Sequence, residues 1–155
     1  MSDLQSRRNQ FCRSLVDHSI ACAIITLPHD VTYLTGHLGG WGDSPSLLIV
    51  APDQTPVIVT PDHATRPFAS EDGSLQIRLY ESSCLQQPVE PHISLARQVA
   101  DVLRLWRTSG KTVGVEVTNT PHFLIEFLEL KISDLETYDV TDMVRQQRAI
   151  QTELE

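Results

Sequence analysis

The sequence predicts a three-layer α/β domain, in which a mixed β-sheet is flanked by helices. Short continuous apolar runs, such as Cys22 to Leu27, are typical of strands buried on both faces. In the second half of the chain such runs alternate with segments of helical periodicity, which favours a layered α/β arrangement. A turn at Pro52 to Thr55 joins two apolar runs and predicts a hairpin, so the sheet is expected to be mixed.

The first half is predicted to contain one helix and four strands. Leu4, Phe11 and Leu15 recur at helical spacing between charged residues, which indicates an amphipathic first helix with one buried face. The last of the four strands alternates apolar and polar residues, so one of its faces should be wetter. The predicted strands cover residues 22–27, 46–51, 56–60 and 75–80.

The second half is predicted to alternate helix and strand. One apolar stripe predicts a helix that ends before Gly110, and residues 112–117 form the next strand. A helix at 121–130, a short strand at 136–140 and a helix from Asp142 follow. The stripe of the first of these helices consists of Ile93, Ala96, Ala100, Leu103 and Trp106.

Composition excludes several classes of function. The 155 residues carry a net charge of −8, with lysine only at positions 111 and 131, which argues against a nucleic-acid surface. The N-terminus is polar, and no apolar run approaches the roughly 20 residues that span a bilayer. Cys12, Cys22 and Cys84 show no paired spacing and are expected to be reduced. The sequence thus predicts a cytoplasmic protein with no membrane or nucleic-acid partner.

The most unusual stretch is Tyr33 to Pro45, which has four glycines between positions 36 and 42. Its glycine spacing matches neither the dinucleotide fingerprint nor the P-loop. It is either a flexible connection between strands or a loop that presents His37 and Trp41 to a ligand site. Trp41 favours the second interpretation, because an indole in a glycine-rich loop has few neighbours of its own chain to cover it.

The titratable residues do not make a catalytic site by themselves. None of the six histidines has the helical spacing of a zinc motif, and no serine or cysteine lies in a nucleophile-elbow signature. Glu116 lies inside an apolar strand and is expected to be a buried, partnered structural carboxylate rather than a general base. Arg66 could face an anion, but a surface arginine is the favoured interpretation.

The final residues, 144–155, run from basic to apolar to acidic without a Gly or Pro stop. They look like a helix or connection being entered, so we expect this chain to be the front part of a longer protein. The reacting groups would then lie in residues that are absent here.

Three segments in order resemble the N-terminal domain of the creatinase/prolidase/aminopeptidase P family. They are Tyr33-Leu34-Thr35-Gly36 after a buried strand, Gly114-Val115-Glu116 in a late strand, and the terminal segment Arg145 to Glu155. The terminal segment is similar to the family junction Arg-x-Ile-Lys-Ser-x-x-Glu, with Gln151 and Thr152 in place of the Lys-Ser pair.

The resemblance implies a ribonuclease H-like domain over residues 1–145 and, over 146–155, the start of a junction to a C-terminal pita-bread catalytic domain. It implies two divalent ions (Mn, Co or Zn) in that second domain, with no metal ligand or catalytic residue in this chain. It also implies a homodimer or higher oligomer, and a small peptide substrate whose length would be limited by the loop with His37 and Trp41. The fragment alone would be inactive. A creatinase-like hydrolase of C–N bonds and a non-catalytic protein-binding module remain as alternatives.

Overall fold

The computed structural model describes residues 3–37, 45–63, 74–82 and 89–152, and these contain five helices and six strands. The elements, in chain order, are α1 (Asp3–Asp17), β1 (Cys22–Ile25), α2 (Pro28–Thr35), β2 (Leu47–Val50), β3 (Val57–Pro61), β4 (Gln76–Tyr80), α3 (Pro91–Leu105), β5 (Thr112–Val115), α4 (His122–Lys131), β6 (Glu136–Asp139) and α5 (Thr141–Thr152).

The six strands form one mixed sheet in the order β4-β3-β2-β1-β5-β6. Strand β2 is antiparallel to both of its neighbours, whereas the other neighbouring pairs are parallel. At the centre, Ala23 of β1 lies opposite Val50 of β2 on one side and Gly114 of β5 on the other. The predicted mixed sheet and the predicted hairpin of β2 and β3 are confirmed.

Helices cover both faces of this sheet, because the central strands are apolar on both sides. Alternate residues of β1 enter opposite cores, with Cys22 and Ile24 on one face and Ala23 and Ile25 on the other. Helices α3 and α4 pack on the first face, and α1, α2 and α5 pack on the second. The amphipathic pattern of α1 is realised, since Phe11 and Leu15 are fully buried. Each such side chain stabilises the fold by about 2–3 kcal/mol through burial.

Helix α2 is absent from the sequence prediction, which places the end of a strand at Pro28 and the start of a loop at Tyr33. Proline is tolerated in the first turn of a helix, where its missing N–H would have had no partner, and Pro28 occupies that position here. The helix ends at Gly36, whose φ of 71° is left-handed and whose N–H donates to the carbonyl of Thr32 at 2.7 Å.

Strands β1 and β5 both end two residues earlier than predicted, for one shared reason. β1 ends at Ile25 because the N–H groups of Thr26 and Leu27 donate to the Glu116 carboxylate instead of to a neighbouring strand. β5 ends at Val115 because the carbonyl of Glu116 accepts the N–H groups of Asn119 and Thr120 in a turn. Both strands therefore stop at the same buried residue.

The C-terminal helix α5 begins at a well-defined cap. Asp139 Oδ1 accepts hydrogen bonds from the backbone N and the Oγ1 of Thr141, at 2.9 and 2.5 Å. Its Val144 is fully buried, and its Gln147 donates to the carbonyl of Arg7 at 2.9 Å. The helix passes through positions 145 and 146 without a break, so the predicted domain boundary falls inside it.

Candidate functional site

His37 lies directly after α2, where the chain enters the glycine-rich stretch. Its backbone is held on both sides, because its N–H donates to Thr35 Oγ1 at 3.0 Å and its carbonyl accepts from Thr32 Oγ1 at 3.0 Å. The side chain is 6% exposed, and burial lowers the pKa of the imidazole below its usual 6.5. His37 is thus a neutral, anchored residue at neutral pH, and it fixes the position from which the loop departs.

The other residue of that predicted site, Trp41, lies outside the described residues, as does Arg66. The hypothesis that His37 and Trp41 face a ligand together therefore remains a prediction. What the structure adds is the burial of His37, which the sequence did not indicate.

A second cluster, which we call the carboxyl pair, consists of Asp30 on α2 and Glu116 after β5. Both residues are buried, with exposed fractions of 1% and 0%. Glu116 Oε2 accepts hydrogen bonds from the backbone N–H groups of Thr26 and Leu27, at 2.5 and 2.7 Å. The predicted burial of Glu116 is confirmed, and its partners show that it ties the end of β1 to the end of β5.

The environment of Glu116 favours its protonated form. Burial raises the pKa of this carboxyl to about 7, and the nearby Asp30 contributes to the rise through a hydrogen bond and through charge repulsion. The N–H groups of Leu27 and Thr26 act in the opposite direction, because they stabilise the charged form. Desolvation is the largest of these effects, so Glu116 is expected to keep its proton at pH values well above the usual pKa of a glutamate.

Helix α5 supplies a cation to this pair. Arg148 Nη1 lies 2.8 Å from Asp30 Oδ1, and the arginine side chain is 38% exposed while that of Asp30 is 2% exposed. Three segments distant in sequence, around positions 30, 116 and 148, thus meet at one buried point. The burial of Asp30 is not predictable from the sequence, because Pro28 and His29 give no sign of the helix α2 that buries it.

A third cluster brings a serine, a histidine and an aspartate together at the ends of β3 and β4. His63 Nδ1 lies 2.5 Å from Ser82 Oγ, and that hydroxyl donates to Asp62 Oδ1 at 2.6 Å. The hydroxyl proton therefore points at the carboxylate and not at the imidazole, the reverse of what a serine nucleophile needs. These contacts hold Ser82 and lower the pKa of Asp62, chiefly through the Ser82 hydrogen bond. The cluster fastens two strand ends.

A mostly apolar cavity of about 250 Å³ opens beside the carboxyl end of β1, near the first turns of α3 and α4. Its lining includes Thr26, Leu47, His92, Asn119 and Phe123. His92 borders this cavity, whereas the acidic residue two positions earlier, Glu90, is not part of the lining.

Among residues 3–37, 45–63, 74–82 and 89–152, no three His, Cys, Asp or Glu side chains converge in a way that could hold a metal ion. Within the same ranges, no helix has the length and apolar character needed to cross a membrane.

The fold and the carboxyl pair define an α/β domain whose mixed sheet, with β2 reversed, is covered by helices on both faces and fastened at the end of β1. This class of domain is matched by a family model. The chain belongs to the Creatinase/Prolidase N-terminal domain family, whose model matches residues 7–150. The resemblance found in the sequence is thereby confirmed, and so is the predicted fold class. No curated protein sequence matches the chain.

Solved structures share this fold at low sequence identity. A proline dipeptidase from Streptococcus pneumoniae TIGR4 is 21% identical, with a TM-score of 0.72 and coverage of 97% of this chain and 99% of that one. The N-terminal domain of the cytoplasmic peptidase PepQ from Mycobacterium tuberculosis H37Rv is 16% identical, with a TM-score of 0.70 and coverage of 92% and 98%. An Xaa-Pro dipeptidase from Bacillus anthracis is 14% identical, with a TM-score of 0.66, and the match covers 94% of this chain and 36% of that one.

Proposed function

We propose that this chain is the N-terminal domain of an Xaa-Pro peptidase of the prolidase or aminopeptidase P type, and that it acts as an accessory and docking domain. The observation that carries the proposal is the family match over residues 7–150, together with similarity along nearly the full length of a domain solved as the N-terminal domain of a peptidase. The match to about a third of the Bacillus anthracis dipeptidase agrees with a parent that has a second, larger part.

In this proposal the bond-breaking chemistry belongs to a C-terminal domain. Two divalent ions (Mn, Co or Zn) bound there would polarise the carbonyl of the Xaa-Pro bond and lower the pKa of the attacking water. No residue of the present chain takes a metal-ligand or catalytic role. Its residues instead set the shape of the substrate entrance and the position of the adjoining domain.

The loop that follows α2 is the proposed contact with substrate. In a homodimer or higher oligomer it would cover the active site of the neighbouring subunit, where His37 and Trp41 limit the length of the peptide. The anchored backbone of His37 supports this role, because a loop that closes over a site gains precision from a fixed starting point. The buried, neutral imidazole would shape the loop without adding charge.

Helix α5 is the proposed connection to the catalytic domain. It is held against α1 through Gln147 and against α2 through Arg148, and these contacts would fix the orientation of a domain joined to it. For the parent enzyme we propose a cytoplasmic location, which is supported by the PepQ relative, described as a cytoplasmic peptidase.

Hydrolysis of Xaa-Pro dipeptides tests the proposal directly. The purified 155-residue chain should show no release of proline with Mn²⁺, Co²⁺ or Zn²⁺, whereas the whole product of its natural gene should be active and should form dimers or larger assemblies by analytical ultracentrifugation. Hydrolysis by the chain alone would contradict the accessory role. A whole product that cleaves creatine-like compounds but no Xaa-Pro peptide would support the creatinase-type alternative.

Trp41→Ala and His37→Ala in the whole product test the loop. We expect a higher KM for dipeptides and a weaker preference for short over long peptides, since the cap loses the Trp41 side chain in one variant and the buried anchor of the loop in the other. The matched control is His122→Ala, because His122 is on the surface of α4 and its side chain is 83% exposed. Unchanged kinetics on short and long peptides for both loop variants would remove the loop from the proposal.

A further inference from the structure

The carboxyl pair presents a mismatch of charge. If Asp30 and Glu116 were both ionised, two negative charges at 1% and 0% exposure would face the single guanidinium of Arg148. An unmatched buried charge is strongly destabilising, so a buried group tends to neutralise instead. One proton shared between the two carboxyls leaves one negative charge opposite one positive charge.

The hydrogen-bond pattern leads to the same conclusion. Glu116 Oε2 receives two backbone N–H groups, whereas Glu116 Oε1 is a buried oxygen with no hydrogen-bond partner among the described residues. The contact of Asp30 Oδ1 with Arg148 is an ion pair. A proton between the carboxyls would give Glu116 Oε1 the hydrogen-bond partner that it lacks.

Other charged groups around the pair are engaged elsewhere. From α1, Arg7 pairs with Asp3 and lies over the ring of Tyr33, and Arg8 donates to the carbonyl of Leu34. From α5, Arg145 pairs with Asp142. From β6, Asp139 accepts from Thr141 and Val117.

On α2, His29 is only partly buried, and the segments after β1 and β5 contribute the hydroxyls of Thr26 and Thr120. In the described part of the chain, Arg148 is thus the cation in contact with the pair.

We propose that the seating of α5 on α2 is linked to a proton: Asp30 and Glu116 share one proton, and the helix is held more tightly once that proton has left. Arg148 favours the doubly charged pair and the proton opposes it, so the two compete for the same site. This device depends only on residues of this domain and would operate whether or not the proposed peptidase function is correct.

Amide hydrogen exchange of α5 between pH 6.5 and 8.5, corrected for the intrinsic rates, tests the proposal on the 155-residue chain. In the unmodified protein the protection of residues 145–150 should rise about fivefold with pH, the size typical of a partly exposed charge pair. In Glu116→Gln the side chain at position 116 has no titratable proton, so the protection of residues 145–150 should not change with pH. Arg148→Met should give low protection at every pH.

Arg145→Met is the matched control, since Arg145 is on the same helix and pairs only with the exposed Asp142 among the described residues. It should keep the rise seen in the unmodified protein. A rise that persists in Glu116→Gln, or protection that falls with pH in the unmodified protein, would overturn the proposal.

A carboxyl ¹³C titration gives a second, direct measurement. Removing the positive charge in Arg148→Met should move the midpoint of the Glu116 signal to higher pH by about half a unit or more, while Arg145→Met should leave it unchanged. If Arg148→Met does not fold, Arg148→Lys keeps the charge and should keep the midpoint. Equal midpoints in the unmodified protein and Arg148→Met, or a midpoint in Arg148→Lys shifted as far as expected for Met, would refute the link.

Discussion

Replacing Glu116 by glutamine should remove a specific pH dependence from the stability of the fold. Glu116 has a pKa raised from 4.5 to about 7 in the folded state, chiefly because it is buried. Between these two values the folded protein holds a proton that the unfolded chain has released. Its contribution to stability is therefore complete below about pH 4.5 and is lost as the pH rises towards 7.

The magnitude follows from the linkage between proton binding and folding. One extra proton bound in the folded state makes the free energy of unfolding fall by up to about 1.4 kcal/mol per pH unit. Across the interval from 4.5 to about 7 the loss amounts to about 3 kcal/mol. The glutamine side chain of the Glu116→Gln variant has no proton to lose, so the stability of that variant should not show this fall.

His37 makes the comparison of two proteins necessary. Its pKa is lowered by burial, so the unfolded chain takes up a proton that the folded state refuses, and stability rises as the pH approaches 6.5. That effect opposes the effect of Glu116 in the unmodified protein. It is common to both proteins, however, and cancels in their difference.

Urea unfolding, followed by tryptophan fluorescence and by circular dichroism at half-unit steps from about pH 4.5 to about 8, measures this difference. The stability of the unmodified protein minus that of Glu116→Gln should fall with pH and level off above about 7. Parallel curves, or a difference that grows with pH, would refute the assignment of the buried proton to Glu116. The Arg145→Met variant should run parallel to the unmodified protein.

Three other experiments have defined outcomes. Gly114→Ala should destabilise the domain by about 1–3 kcal/mol in urea unfolding, because the new Cβ would lie 2.6 Å from a methyl group of Val140. The control Gly110→Ala has no atom within 4 Å of its new Cβ, and it should cost only about 1 kcal/mol because the backbone at this position is left-handed. Asp139→Ala should cost about 1 kcal/mol by uncapping α5, and the cost should vanish at acid pH, where the carboxyl, whose pKa lies below 3.8, takes up its proton. Cys12 and Cys22, with pKa values raised by burial to about 11 and 12, should resist iodoacetamide at about pH 8 in the folded protein and react after unfolding; peptide mapping by mass spectrometry distinguishes these outcomes.

The layered architecture could be predicted because it depends on local patterns that burial enforces. Continuous apolar runs such as that at 47–50 have one common explanation, a strand covered on both faces, and the structure places Leu47 to Val50 there. The stripe at 93–106 likewise indicates one buried helix face. In α3 its Ala96, Ala100 and Leu103 are buried, whereas Ile93 is only partly buried and Trp106 follows the end of the helix. Both patterns repeat at the period of the element that they form.

Helix α2 and the carboxyl pair could not be predicted, because they depend on partners far along the chain. Eight residues that begin with proline carry a weak helical signal, and α2 is stabilised mainly by the packing of Val31 and Leu34 in the core. The sequence indicates the burial of Glu116, but the partner on α2 lies 86 positions earlier, at position 30. A pairing over that distance leaves no periodic trace in one sequence.

The position of β1 in the sheet has a consequence for synthesis on the ribosome. Its partner on one side, β2, emerges soon afterwards, but the strand on its other side, β5, begins only at Thr112. Until then a fully apolar strand, Cys22–Ile25, has one row of unsatisfied backbone groups facing outwards in the nascent chain. A stalled or truncated product that ends before residue 112 therefore has an unpaired strand edge at β1. Such products should aggregate or be bound by chaperones.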